Sequence, residues 1–133
     1  MNRNEIGSPS WKSVMVTRHL PEKLSGLETL CKNLWWCWND NAKDLFKSID
    51  YNLWHKSGHN PMVILDRVSY KRYLALSQDE EFVARLDAVM QEFNSYMSKK
   101  SERTEPSVGY FCMEYGLDTS LKIYSGGLGI LAG

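Results

Sequence analysis

The residues with the richest chemical potential are Ser125-Gly126-Gly127-Leu128-Gly129-Ile130-Leu131-Ala132-Gly133. Three glycines in four positions let a backbone turn tightly and approach a ligand closely. If a helix starts there, its first amide N–H groups have no internal acceptor. Such a turn can hold an anion, most naturally a phosphate. The dipole of an exposed helix end adds only ~0.3–1 kcal/mol. Direct hydrogen bonds from amide to charged oxygen, at ~1.5–3 kcal/mol each, would dominate. From the glycines alone, a turn packed closely on its neighbours is an equal reading. The stretch from Gly127 to Ala132 also fits G-x-G-x-x-A, a dinucleotide pattern whose acidic ribose ligand would lie ~20 residues further on. Upstream, Glu114 interrupts an apolar run; a buried carboxylate needs a partner or a function, and a structural ion pair is the commoner outcome.

The second cluster is aromatic. Five tryptophans are present, four of them between Trp35 and Trp54. Rings of this kind either anchor a core or stack on sugars. Trp35 and Trp38 fall on an apolar helical stripe, which makes them core residues. Trp36 lies off the stripe and is the candidate for an exposed glycan contact. His55 and His59 are four apart, but Gly58 intervenes and no glutamate follows His55, so this is not a zinc-protease helix. Cys31 and Cys37 lack zinc-knuckle spacing, and no metal site is expected. Three cysteines form an odd, sparse set, which suits free thiols in a reducing, cytoplasmic setting better than a disulfide framework.

These residues are carried by a chain that reads mostly helical. Residues 1–19 form a leader in which Trp11 to Arg18 alternates as a short strand would. From Glu22 the period changes: Leu24, Leu27, Leu30, Leu34, Trp35 and Trp38 fall three or four apart. Asn39 and Asp40 suit a break and a new cap, followed by a short helix with Leu45 and Phe46. Asp50 can cap another, carrying Leu53 and Trp54 and ended by Gly58. Pro61 fits a first helical position, before Val63, Ile64 and Val68. Ser77 and Glu80 have capping-box spacing, and Phe82, Leu86, Met90, Phe93 and Met97 make a seam, so a helix is predicted from about 78 to 98. Residues 101–107 are polar and read as a linker. Val108 to Tyr115 then has the look of a buried strand. The expected fold is therefore a helical region over 20–100, then the first strand and glycine loop of an α/β unit over 108–133.

The chain has 133 residues, 43% hydrophobic and 24% charged, which is ordinary for a soluble domain. Sixteen basic and sixteen acidic residues cancel, leaving no field to draw nucleic acid or an anionic membrane. No apolar stretch approaches the ~18 residues of a membrane span. The apolar last residues, Ile130-Leu131-Ala132-Gly133, suggest a fragment.

The order Tyr110-Phe111-Cys112-Met113-Glu114-Tyr115-Gly116-Leu117, then Leu121-Lys122-Ile123-Tyr124-Ser125-Gly126-Gly127-Leu128-Gly129-Ile130-Leu131-Ala132-Gly133, closely resembles the N-terminal part of bacterial α-glucan (glycogen, starch or maltodextrin) phosphorylases. The preceding region resembles the helical N-terminal extension of one branch of that family. The likeness there is carried by Leu20-Pro21, Asn33-Leu34-Trp35-Trp36-Cys37-Trp38-Asn39, Leu45-Phe46, Leu53-Trp54, Gly58-His59-Asn60-Pro61 and Ala84-Arg85-Leu86.

The resemblance implies a glycosyltransferase in which inorganic phosphate cleaves a terminal α-1,4 glucosidic bond and releases glucose 1-phosphate. It implies two doubly wound α/β domains in the parent, which could assemble as a homo-oligomer. It also implies pyridoxal 5′-phosphate, whose phosphate takes part in proton transfer. By position, Gly126, Gly127, Leu128 and Gly129 match the family's substrate- and phosphate-binding glycine loop, and Glu114 matches a supporting acidic position. Asp118-Thr119 departs from the His-Glu often found there. The cofactor lysine has no match in this chain, and no catalytic residue is assigned, so the chain alone is expected to be inactive. Two other classes stay open: a non-catalytic module of helices docking glucan or a subunit, and the start of a dinucleotide-binding enzyme.

Overall fold

The computed structural model describes residues 19–99, 108–112, 114–123 and 127–133. Six α-helices occupy the first stretch: α1 Gly26–Cys31, α2 Asp40–Ile49, α3 Tyr51–Lys56, α4 Pro61–Arg67, α5 Tyr70–Gln78 and α6 Glu80–Met97. Two 3-10 turns, Glu22–Leu24 and Leu34–Trp38, flank α1, and α7 Gly127–Ala132 closes the chain.

Polar caps written into the sequence set the breaks. The Asn39 side chain accepts the Ala42 N–H at 2.8 Å and starts α2. Asp50 accepts from Leu53 at 2.8 Å and starts α3. Asn60 accepts from Met62 and Val63 ahead of α4, with Pro61 in its first turn. Each cap satisfies donors that the helix cannot. The end of α3 is equally defined. Gly58 N–H donates to His55 O at 3.3 Å and His59 N–H to Trp54 O at 3.0 Å, the paired bonds of a Schellman ending. Gly58 takes φ 67 there, which costs glycine little. His59 follows with φ 64, a left-handed conformation that a side chain rarely adopts.

The longest helix, α6, is the spine. The helices α1, α2 and α5 pack on it, and Phe82, Leu86, Val89 and Phe93 supply its buried face. Leu24, Leu27, Leu30, Leu45, Phe46 and Ile64 are fully buried around it. No polar or charged residue is buried among the described residues. Arg72 binds α5 to the end of α2: its guanidinium donates to Ile49 O and Ser48 O, both at 3.0 Å. A cation on the free carbonyls of a helix C-terminus also suits the helix dipole.

Five expectations need correction. The stripe from Leu24 to Trp38 is not one helix. Asn33 is extended (φ -120, ψ 126) and caps a separate 3-10 turn, so the helical phase is reset. Trp36 turns inward and is 3% exposed, whereas Trp38 turns outward and is 55% exposed. The long helix predicted from about 78 to 98 is α6, but its cap is Asp79 and not Ser77: α5 fills 70–78, and Ser77 lies in its last turn donating to Leu74 O at 2.8 Å. Met97, placed on the seam, is 54% exposed. The strand expected at 108–115 is absent from its described residues, where Phe111 is 94% exposed. A strand needs a ladder partner for its backbone groups, and no strand occurs among the described residues. The alternating segment 11–18, the linker 101–107 and Gly126 lie outside the described residues.

Two substitutions test this packing. Leu45→Ala, at a fully buried site, should cost about 2–5 kcal/mol, read as a lower urea midpoint. Asn39→Ala removes the α2 cap and should cost about 1 kcal/mol, with helix loss visible by circular dichroism at lower temperature.

Candidate functional site

The glycines of the 127–133 segment prove unequal. A Cβ on Gly129 would lie 2.8 Å from the Ile123 side chain and 3.1 Å from the Glu114 carbonyl oxygen. Gly116 N–H donates to Gly129 O at 2.8 Å, and Gly133 N–H donates to the same oxygen at 3.1 Å. A Cβ on Gly133 would meet the Gly116 backbone at 3.1 Å. Gly116, Gly129 and Gly133 are therefore small because two backbones touch. Gly127 is different: among the described residues nothing stands within 4 Å of its Cβ position. Leu128 is exposed, and only Gly129 of α7 is buried. Within the glycine run, the close-packing reading fits Gly129, while Gly127 keeps an approachable backbone. No strand leads into this turn among the described residues, although the dinucleotide pattern needs one.

Glu114 is half-buried, and its backbone is the surface on which Gly129 rests. Its N–H meets the Cys112 sulfur at 3.4 Å, and the Cys112 thiol lies 3.6 Å from its carbonyl. Asp118 works as a turn residue, accepting the Ser120 N–H at 2.8 Å through its side chain.

Trp36 does not stand with the glycines. It packs against Trp54 with ring centres 6.4 Å apart and is buried, so its faces are not free to stack on a sugar. Both rings reach the wall of a cavity of about 350 Å³ that also takes in Lys43, Lys47, His59 and Asp118. His59 stacks on Trp54 at 5.2 Å and lies 3.3 Å from the His55 ring nitrogen. The lysines are already engaged, Lys43 with Asp40 at 3.0 Å and Lys47 with Asp44 at 3.9 Å. Among the described residues no group of three or more His, Cys, Asp or Glu is arranged to hold a metal ion.

The thiols are free: Cys31 and Cys37 are buried and Cys112 is half-buried. Burial pushes the Cys31 thiol from its ordinary 9.0 up to about 11. Burial, and then the Asp118 carboxylate, raise Cys37. Neither is a poised nucleophile at neutral pH.

Two outcomes follow from this geometry. Gly129→Ala forces apart the contact with Glu114 and should shift backbone NMR signals of residues 114–117, while Gly127→Ala leaves them in place. The thiol of Cys31 ionises near 9 when unfolded and near 11 when folded. Its contribution is therefore complete below pH 9 and is lost as pH rises toward 11. Urea midpoints should fall across that window, and Cys31→Ala should flatten part of the fall.

The family described as "Protein of unknown function (DUF3417)" matches residues 20–121. The glycogen phosphorylase of Mycobacterium tuberculosis (strain CDC 1551 / Oshkosh) is 38% identical over 130 residues, covering 89% of this chain and 15% of that protein. The maltodextrin phosphorylase of Thermococcus litoralis is 42% identical over 121 residues, 86% of this chain and 14% of the relative. The glycogen phosphorylase of Aquifex aeolicus is 40% identical over 111 residues, 81% and 16% of the two chains. The chain thus spans only 14% to 16% of the length of these curated relatives. No solved structure matches it.

Proposed function

This chain belongs to the DUF3417 family, and on that premise we propose that it is the N-terminal portion of an α-glucan phosphorylase. The parent enzyme phosphorolyses terminal α-1,4-glucosidic bonds of a cytoplasmic glucan and releases glucose 1-phosphate. One observation carries the reading: phosphorylases of three separate organisms share 38% to 42% identity with more than four-fifths of the chain. The named substrates of those relatives, glycogen and maltodextrin, set the substrate class.

In this reading residues 20–100 are a helical extension and 108–133 begin the catalytic region. Gly126, Gly127, Leu128 and Gly129 contribute backbone N–H donors toward the substrate phosphate and the glucosyl unit. The open space over Gly127 supports that role, because an oxyanion must come within hydrogen-bond distance of bare backbone. Gly129 also seats α7 on the backbone of Glu114 and Gly116. Glu114 then supports the turn through its main chain.

Pyridoxal 5′-phosphate is the cofactor that phosphorylase membership implies. The residues described here do not fit it. Lys43 and Lys47, on the wall of the Trp54 cavity, pair with Asp40 and Asp44 at the surface, and no lysine of the chain falls in a stretch that matches the family's cofactor position.

The complete gene product, supplied with pyridoxal 5′-phosphate, should form glucose 1-phosphate from maltodextrin and inorganic phosphate, and this chain alone should form none. Absence of the sugar ester from the complete product would overturn the assignment. Within the complete product, Gly127→Val should raise KM for phosphate roughly tenfold, the loss of about 1.4 kcal/mol of binding.

A further inference from the structure

We propose that a groove between the 34–39 segment and α6 is a second binding surface for α-1,4-glucan, separate from the glycine turn. The choice of ligand rests on the phosphorylase reading; the existence of the surface rests on geometry. The groove, about 610 Å³, is lined by Asn39, Gln91, Glu92, Ser95, Tyr96 and Lys99, with Trp35 beneath.

Its lining combines a braced aromatic ring with fixed polar groups. The Phe93 ring meets Trp35 edge-on at 5.4 Å, and Trp35 in turn meets Tyr96 at 6.4 Å. Trp35 is buried, and Tyr96, 50% exposed, ends this aromatic row at the surface. A ring held this way loses little freedom when a sugar lies against it. The Glu92 carboxylate beside it is equally fixed. Asn39 donates to one oxygen at 3.1 Å and Asn41 to the other at 3.0 Å. Asn39 is itself immobilised, because its side-chain oxygen caps α2. Each carboxylate oxygen keeps acceptor capacity for a hydroxyl.

The charge pattern selects the ligand class. Glu92 and Lys99 offset one another, and Asn39, Gln91, Ser95 and Tyr96 are neutral donors and acceptors. That lining has no excess charge for a phosphate or a nucleic acid. It also offers few apolar anchors of the kind that dominate protein interfaces. A neutral chain of hydroxyls with apolar C–H faces fits both the ring and the amides. Trp38, the neighbour of Asn39, is a further exposed ring on the same turn.

The test is a titration of maltoheptaose into the 133-residue chain, followed by amide NMR shifts. Saturable shifts should cluster at residue 39 and along 88–99, leaving 127–133 unmoved. Tyr96→Ala should weaken binding at least tenfold. Gln91→Ala, an exposed change that leaves the aromatic row intact, should weaken it severalfold, with circular dichroism unchanged in both. No saturable shift, shifts elsewhere, or shifts indifferent to both substitutions would overturn the proposal. So would slow hydrogen exchange across 88–99 in the sugar-free complete gene product beyond that of this chain, because the groove would then be covered by protein. A silent titration beside an active complete product removes the groove and leaves the enzyme assignment standing. Binding here beside an inactive complete product does the reverse.

Discussion

Helices of six to ten residues do not persist alone in water, where about 12–15 are needed even for good helix formers. The helices α1 to α5 are all of that length. Their existence therefore depends on one interaction, the burial of their apolar faces against each other and against α6. The side chains that close this core, Phe46, Leu24, Leu27, Leu30 and Leu45, are inaccessible to water. Everything polar is arranged around that constraint. Caps stand at the breaks, Arg72 sits on the end of α2, and no described buried residue is polar or charged. The tryptophans belong to the same economy: Trp35, Trp36 and Trp54 fill the space between short helices that aliphatic side chains would leave underpacked.

The 108–133 part obeys a different rule. Its one buried described residue is Gly129, which hides no apolar surface of its own. Val108, Phe111 and Leu131 face solvent at 89%, 94% and 86% exposure. What orders α7 is contact between main chains, Gly116 against Gly129 and Gly133. Such contact positions a backbone closely but removes little apolar area from water. The contrast with the helical region is one of driving force: buried apolar area there, main-chain contact here.

Much of the helical region was legible in the residues. Asn39, Asp50 and Asn60 with Pro61 each marked a true start, and Gly58 marked a true end, because capping is local chemistry. The length of α6 was legible from its apolar period. What periodicity could not reveal was a change of phase. Asn33 leaves the helical conformation and exchanges the fates of Trp36 and Trp38. The signal was present, since Asn33 is as good a cap as Asn39, but an unbroken run of large apolar residues masked it. The helix α5 was missed because its buried residues, Tyr73 and Leu76, give too sparse a stripe. The strand at 108–115 was read from composition alone, and pairing is a non-local property that composition cannot supply. The glycine segment was legible as special; which glycine packs and which stays open emerged only from the neighbours of each.

One side chain joins two levels of this organisation. Asn39 uses its oxygen to begin α2 and its nitrogen to hold Glu92 on α6. Fraying the first turn of α2 therefore also releases a contact between elements far apart in the chain. Local fluctuation there is thereby tied to one exposed contact with the spine, while the packing of the spine itself rests on buried side chains. The first turn of α2 is therefore anchored from outside the helix as well as by its own cap.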